Sequence, residues 1–402
     1  MEGRPSPLPS IVIFDQSVSA QSPAGSCVLT EVVGLAEVFQ VTVVSTKCDA
    51  ANYPGVRFVK IPLPTGPVIL RYVCFQILAP FYAFFLRYPG SGAAIGISQT
   101  TQGQYVGADI AYAHFCHRAY LCGAWKTSPS RGLRRGARWL NHRFNAFFER
   151  RAFLRARTIV APSEGLACEL ANVYPFLANR IVTLPNPVDV AHFVAGADFD
   201  RAAYRSALGI ADSDTVFIFV ALGDFARKGL GLVLEAFAKL VPQLQNNAQL
   251  LVVGGRPNES VHFLKRAVRL NIVNRIRFAG LQNDIAPFLW ASNLLVMPSS
   301  YEIFSLAMLQ GAAAGLPLIV SEGMYGADEF VVNGLNGWVV PRTVEGVQSA
   351  MEAALLDTEA LENMGAESRK SVQKYSKEVF VQRWRALYAE LLMIDSDLRV
   401  DG

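Results

Sequence analysis

Short, nearly unbroken apolar runs alternate along this chain with segments of helical length. SIVIF at Ser10–Phe14 opens one such series and TVFIFV at 215–220 opens another. After the first come a helical segment at 29–39, a strand at 41–46, and strands near 94–98 and 109–113. The second series is more regular: helix 228–240, strand 250–253, helix 261–270, strands 275–278 and 294–297, helix 304–314 and strand 316–320. Strands that are apolar on both faces and separated by helix-length segments belong to parallel sheets with crossover helices. The pattern predicts two doubly wound α/β domains in tandem, with ligands in the cleft at the carboxyl ends of the strands.

The seam follows LPNPVD at 184–189, where two prolines stop regular structure and a polar stretch at 195–214 precedes the next strand. This sets domains at 1–190 and 191–402. A last helical pattern at 377–392, with Val379, Phe380, Trp384, Leu387, Tyr388 and Leu391 at helical spacing, can pack on either domain.

Composition narrows the class. Of 402 residues, 51% are hydrophobic and 17% charged. A charged share below the usual ~25% marks a globular chain and excludes disorder as its main state. The six cysteines all lie within the first 168 residues, without a C-x-x-C pair, and read as reduced thiols of a cytosolic protein. The opening MEGRPSPLPS lacks the basic end and apolar run of a signal peptide.

The net charge of +4 is unevenly spread. Ten basic side chains and a single acid, Glu149, lie between Lys126 and Arg157. Residues 72–86, YVCFQILAPFYAFFL, carry no charge; a helix of that length rises ~22 Å, short of the ~30 Å hydrocarbon core. They read either as a buried crossover helix or as a helix dipping into a membrane interface. With the basic segment they suggest peripheral attachment to an anionic surface, the inner face of a cytoplasmic membrane. No nucleic-acid recognition motif accompanies the charges.

The strongest local signal is VMPSSYEIFSLAMLQ at 296–310, followed by GAAAGLPLIV. A strand ends at Pro298, a loop carries Glu302, and a helix is expected from Phe304. The first amides of that helix, at Phe304 and Ser305, are unpaired and suit a phosphate or sugar oxygen. Glu302 stands at the mouth of this site, as a functional carboxylate or as one complementing the helix dipole. In FVALGDFARKGLGLVLEAF at 219–237, Arg227-Lys228-Gly229 opens a helix after a strand and a glycine. Taken alone, such a pair of cations at a helix start reads as solvated. The first half offers Gly25 in SPAGS after its first strand, and His114 and His117 in IAYAHFCHRAYL past another strand's end. His114, Cys116, His117 and Cys122 lack the matched ligand pairs of a structural zinc site, so no metal is assigned. Three D-x-D strings, at 198–200, 212–214 and 395–397, fall in the polar seam and the tail, away from the chemistry. Neither a Walker sequence nor a G-x-G-x-x-G follows the first strand, against NTPase and nucleotide oxidoreductase readings.

Residues 298–320 resemble the E-x7-E region of the family 4 retaining glycosyltransferases of GT-B fold, whose pattern is close to PSxxEPFGLxxLEAMACGLPVI. Ile303 stands at the usual proline and Gln310 at the second glutamate. RARTIVAPSEGL at 155–166, RIVTLPNPVDVAHF at 180–193 and GADEFVVNGLNGWVV at 326–340 are similar to further segments of that family.

The resemblance implies two Rossmann-like domains facing across a cleft and a nucleoside diphosphate sugar donor held mainly by the second. It implies transfer with retention, with neither metal nor cofactor. Glu302 would lie beside the transferred sugar, Gln310 at the ribose hydroxyls, Gly25 near the donor phosphates and His114 facing the sugar. Lys228 and Arg227 would meet the diphosphate; the arginine usual after the family's glycine is Asp224 here. The expected acceptor is lipid-linked or a cell-envelope glycan. The alternative is a non-catalytic relative acting as a membrane-associated scaffold, favoured by Gln310, Asp224 and the reduced glycine loop and opposed by Glu302 and Lys228.

Overall fold

The computed structural model describes residues 9–86, 96–127, 132–240 and 247–400. The expected strand start at Ala94, the basic Arg131 and the first eight residues lie outside them, as do the side chains of Arg134 and of 394–400, Asp395 and Asp397 among these. The chain divides into two compact units, Met1–Pro187 with Lys377–Gly402, and Val188–Ser376.

In the first unit β1 (Ser10–Phe14), β2 (Gln40–Ser45), β3 (Val56–Lys60), β4 (Ile97–Thr101), β5 (Ile110–Tyr112), β6 (Thr158–Ala161) and β7 (Ile181–Thr183) form one sheet in the order β3-β2-β1-β4-β5-β6-β7. Every pairing is parallel. β1 is central, with Ile13 registered against Val43 on one side and Gln99 on the other, and the strand order reverses between β1 and β4. The helices used below are α1 (Pro23–Leu35), α2 (Val68–Leu86), α3 (His117–Cys122) and α4 (Gly132–Arg155).

The C-terminal helix Lys377–Val400 packs on α1. Gly34 makes room for it, since a Cβ there would meet the Val381 side chain at 2.3 Å. Arg385 Nε donates to Gly34 O at 3.1 Å and the Tyr388 hydroxyl to Gln99 Oε1 at 2.6 Å.

The second unit carries β8 (Thr215–Ala221), β9 (Ala248–Gly254), β10 (Ile276–Gly280), β11 (Leu294–Met297), β12 (Leu318–Ser321) and β13 (Gly337–Val340), in the order β10-β9-β8-β11-β12-β13, again all parallel. Successive strand residues feed opposite cores. Val216, Ile218 and Val220 of β8 enter one cluster, Phe217, Phe219 and Ala221 the other. The order reverses between β8 and β11, so the loops after these neighbouring strands lie at the switch point.

Several expected elements are corrected. The first helix runs Pro23–Leu35, because Ser22 caps it by accepting from Gly25 N. The helix expected at 228–240 is two pieces, Phe225–Lys228 and Leu230–Ala238. Gly229 breaks it in the left-handed region, φ 90°, and a Cβ there would lie 2.2 Å from Pro298 O. The helix expected from Phe304 is Leu306–Ala313, its N-cap Ser305 accepting from Met308 N at 3.3 Å. The uncharged helix at 72–86 is longer, Val68–Leu86, and by length and composition is the one helix among the described residues able to cross a membrane. Here it is the crossover between β3 and β4, with Tyr72, Phe75, Gln76, Ala79, Ala83 and Leu86 turned inward.

Candidate active site

In the second unit the loops after β8 and β11 are knitted into one structure. Asp224 turns the chain after β8 in the left-handed region, φ 58°, a conformation aspartate tolerates better than most residues. Across the gap, Ser300 N donates to Arg227 O at 2.8 Å and Ser300 Oγ to the same carbonyl at 3.2 Å. Ser299 is fixed in turn, its carbonyl accepting from Ser321 Oγ at 2.7 Å.

This frame presents four charges. The Lys228 ammonium is paired with Glu302 Oε2, and Arg227 Nη1 stands 3.8 Å from the same oxygen. Arg227 also donates to Tyr301 O, and its Nε donates to Asp224 Oδ2 at 2.9 Å. The Lys228 and Glu302 side chains are 15% and 16% exposed, so they meet solvent through a narrow face while remaining partly desolvated. Sequence reasoning picked Lys228, Arg227 and Glu302, and the fold brings the three together. It missed Asp224 as a brace for the guanidinium and the two serines as the lock; the Gly-Asp turn and the Pro-Ser-Ser loop were the available signals.

The neighbouring helix is less committed. Phe304 is core, its ring 5.2 Å from that of Tyr375, and the Ser305 hydroxyl is spent on the cap. The amides at the start of the helix proper are therefore those of Leu306 and Ala307. Gln310, one turn further along, is half-buried.

In the first unit His114 follows β5, its N–H donating to Gln102 Oε1 at 2.8 Å and its ring 4.0 Å from that of Tyr112. Its Nε2 is enclosed without a hydrogen-bond partner, and burial drives the ring pKa down to about 3, so the imidazole is neutral. Beneath this loop lies Glu149 of α4, wholly buried, which the sequence reading left without a role. It accepts from Gln102 Nε2 at 2.8 Å, His117 N at 3.0 Å and the Tyr174 hydroxyl at 2.9 Å. Burial raises its pKa to about 7 against these three donors. Its signal was its isolation, the one acid in a basic helix.

His117 meets His142, its Nδ1 3.0 Å from His142 Nδ1. Gly25 is buried at the start of α1, its N–H held by Ser22 Oγ at 3.1 Å, and a Cβ would meet Ser17 O at 2.7 Å. The structure thus gives this glycine a packing reason. Among the described residues, no three His, Cys, Asp or Glu side chains gather as a metal site would require.

Comparison with known proteins adds to this geometry. Residues 24–192 match the family described as Glycosyltransferase Family 4, and residues 200–371 match Glycosyl transferases group 1. Among curated proteins, N-acetyl-alpha-D-glucosaminyl L-malate synthase of Bacillus anthracis is 29% identical over 204 residues, 50% of this chain and 52% of that protein. The chain spans about half the length of the curated relatives it matches. Among solved structures, WaaG, a glycosyltransferase involved in lipopolysaccharide biosynthesis, superposes with a TM-score of 0.75 at 18% identity, covering 93% of this chain and 98% of WaaG. Anabaena HepE in complex with UDP-glucose gives a TM-score of 0.69 at 17% identity, covering 95% and 99%. These two likenesses concern the fold.

Proposed function

We propose that this chain, which belongs to the family 4 glycosyltransferases of GT-B fold, moves a sugar with retention from a nucleoside diphosphate sugar to a hydroxyl of a lipid-linked or cell-envelope glycan. The observation that carries the reading is the convergence of Lys228, Arg227 and Glu302 on one locked pair of loops at the β8/β11 switch point.

The donor phosphates meet Lys228 and Arg227, with the amide end of helix Leu306–Ala313 beside them. A diphosphate exchanges with Glu302 as partner of the ammonium, which frees the carboxylate to orient the sugar and to stabilise positive charge developing at its anomeric carbon. As the bond to the phosphate oxygen breaks, the negative charge left on that oxygen faces two cations already in place. The acceptor hydroxyl attacks from the face the phosphate leaves, and its proton passes to the departing phosphate oxygen. The configuration is kept. The protein's own cations and amides supply the charge stabilisation, so the mechanism uses no metal and no cofactor. Gln310 accepts from the ribose without the charge a glutamate would bring.

That HepE is solved with UDP-glucose supports a nucleotide sugar as donor, and the lipopolysaccharide role of WaaG supports an envelope acceptor. The test is a panel of UDP-, GDP- and ADP-linked sugars, read by melting temperature and slow hydrolysis, repeated on Lys228→Ala. One donor is expected to stabilise the protein and be hydrolysed, both effects vanishing in the variant. If none shifts the transition, the non-catalytic scaffold takes the place of the transferase.

A further inference from the structure

The apolar surplus of α2 and the arginines of α4 belong to one region of the first unit. Tyr72 of α2 places its ring 5.7 Å from Phe144 and 6.1 Å from Phe148 of α4, so the two helices lie side by side. The inner face of α2 is satisfied, Tyr72 and Gln76 both donating to Gly103 O. Its outer face is exposed: Ile77, Phe81, Phe84 and Phe85 are 67%, 60%, 60% and 52% exposed and share one side at the helical period, the ring of Phe85 packed on those of Phe81 and Phe84.

On α4, Leu140, Phe147 and Leu154 recur every seven residues as an exposed apolar ridge, with the exposed Arg143, Arg150 and Arg151 beside it. The Arg151 guanidinium lies 4.0 Å from the Phe147 ring centre and that of Arg143 lies 5.5 Å from the Trp139 ring centre. Neither open face bears an acid. α2 has none and the single acid of α4, Glu149, is buried.

We infer that the outer faces of α2 and α4 form a docking surface for an anionic lipid bilayer. Phenylalanines enter the interface while arginines, reaching past a shallow apolar ridge, meet lipid phosphates; this is the division of labour of a helix lying in a membrane plane. A second copy of the chain fits worse, because a two-fold contact would set arginine against arginine with no acid to receive them. Nucleic acid would engage α4 but leave the uncharged face of α2 uncovered. The surface stands on the first unit alone, without need of the transferase reading.

The experiment is co-sedimentation of the full chain with phosphatidylglycerol/phosphatidylcholine vesicles and with phosphatidylcholine alone, at low and high salt, with no nucleotide sugar present. Binding is expected only where phosphatidylglycerol is present. The variant R143Q/R150Q/R151Q should weaken it by roughly a hundredfold, three lost lipid contacts each contributing about fivefold. F81S/F84S/F85S should abolish the part that survives high salt while melting like the parent protein. If the phenylalanine variant does not fold, the arginine variant, all of whose changes are on the surface, decides alone. No binding to phosphatidylglycerol, or binding untouched by the arginine changes, overturns the inference. So does a stable dimer by light scattering that these changes dissolve, or retention by an RNA homopolymer with none by vesicles.

Discussion

Lys228 and Glu302 of the second unit pair at a surface that water can still reach, whereas Glu149 of the first unit is closed off completely and the Nε2 of His114 with it. Both regions lie beyond the carboxyl ends of parallel strands. What differs is the work each arrangement suits. An ion pair that is partly desolvated gains from its partner yet can exchange it for an incoming phosphate, so charges that handle a leaving group belong near solvent. A buried carboxylate ringed by three donors cannot exchange anything cheaply; it holds a loop in one shape. Its neighbour His114, stripped of water, keeps a neutral ring.

The comparison breaks most sharply at Lys228. Lys228→Ala should lower turnover of the stabilising donor by about 10²–10³, the range for removing one charge-stabilising group, measured by steady-state hydrolysis. Glu302→Gln should lower turnover while keeping the donor's thermal shift; unchanged turnover removes Glu302 from the mechanism. Next comes Glu149→Ala, expected to destabilise the protein by about 3 kcal/mol because three buried donors lose their acceptor, as read by urea unfolding. Since burial raises its pKa to about 7 from an ordinary 4.5, the native state binds the proton more tightly, and this group's contribution to stability falls as pH rises from about 4.5 to 7. Glu149→Gln should flatten that part of the melting-temperature profile.

Gly229→Ala should cost about 2 kcal/mol, from a left-handed backbone and the close Pro298 carbonyl, and should weaken donor binding by loosening the frame around Lys228. Gln310→Glu is expected to tighten nucleotide binding about tenfold by restoring a charge-assisted acceptor, checked by titration calorimetry. Smallest is the pH response at His114. With its pKa held at about 3, below the usual 6.5, the neutral ring contributes stability above pH 6.5 that is lost as pH falls through 3. His114→Asn should therefore remove the part of the stability loss between pH 6.5 and 3 that this ring causes, as read by melting temperature.

Much of this was legible before the fold was seen. Runs such as TVFIFV announce buried strands because a strand covered on both faces must be apolar at every position. The loops carrying Lys228 and Glu302 stood out through their position after such runs. Short strands did not. Val56–Lys60 and Ile181–Thr183 are largely half-exposed and carry no unbroken apolar run, and only pairing with a neighbour makes strands of them. Gly229 stands in a run that reads as helix throughout, because its positive φ answers to Pro298, a residue distant in sequence.

The sequence by itself determined the alternation of strand and helix, the parallel class of both sheets and the set of charged residues flanking the switch point, since these depend on neighbours a few positions apart. Only the tertiary structure decided that Lys228 faces Glu302 across 74 residues, that Glu149 turns inward from a basic helix, and that Phe81 and Phe84 turn outward from an apolar one. The physical reason is that periodicity says which residues share a face, whereas the order of strands says what that face meets. β8 lies beside β11 because both sides of the sheet must be covered at once, and no local pattern contains that condition.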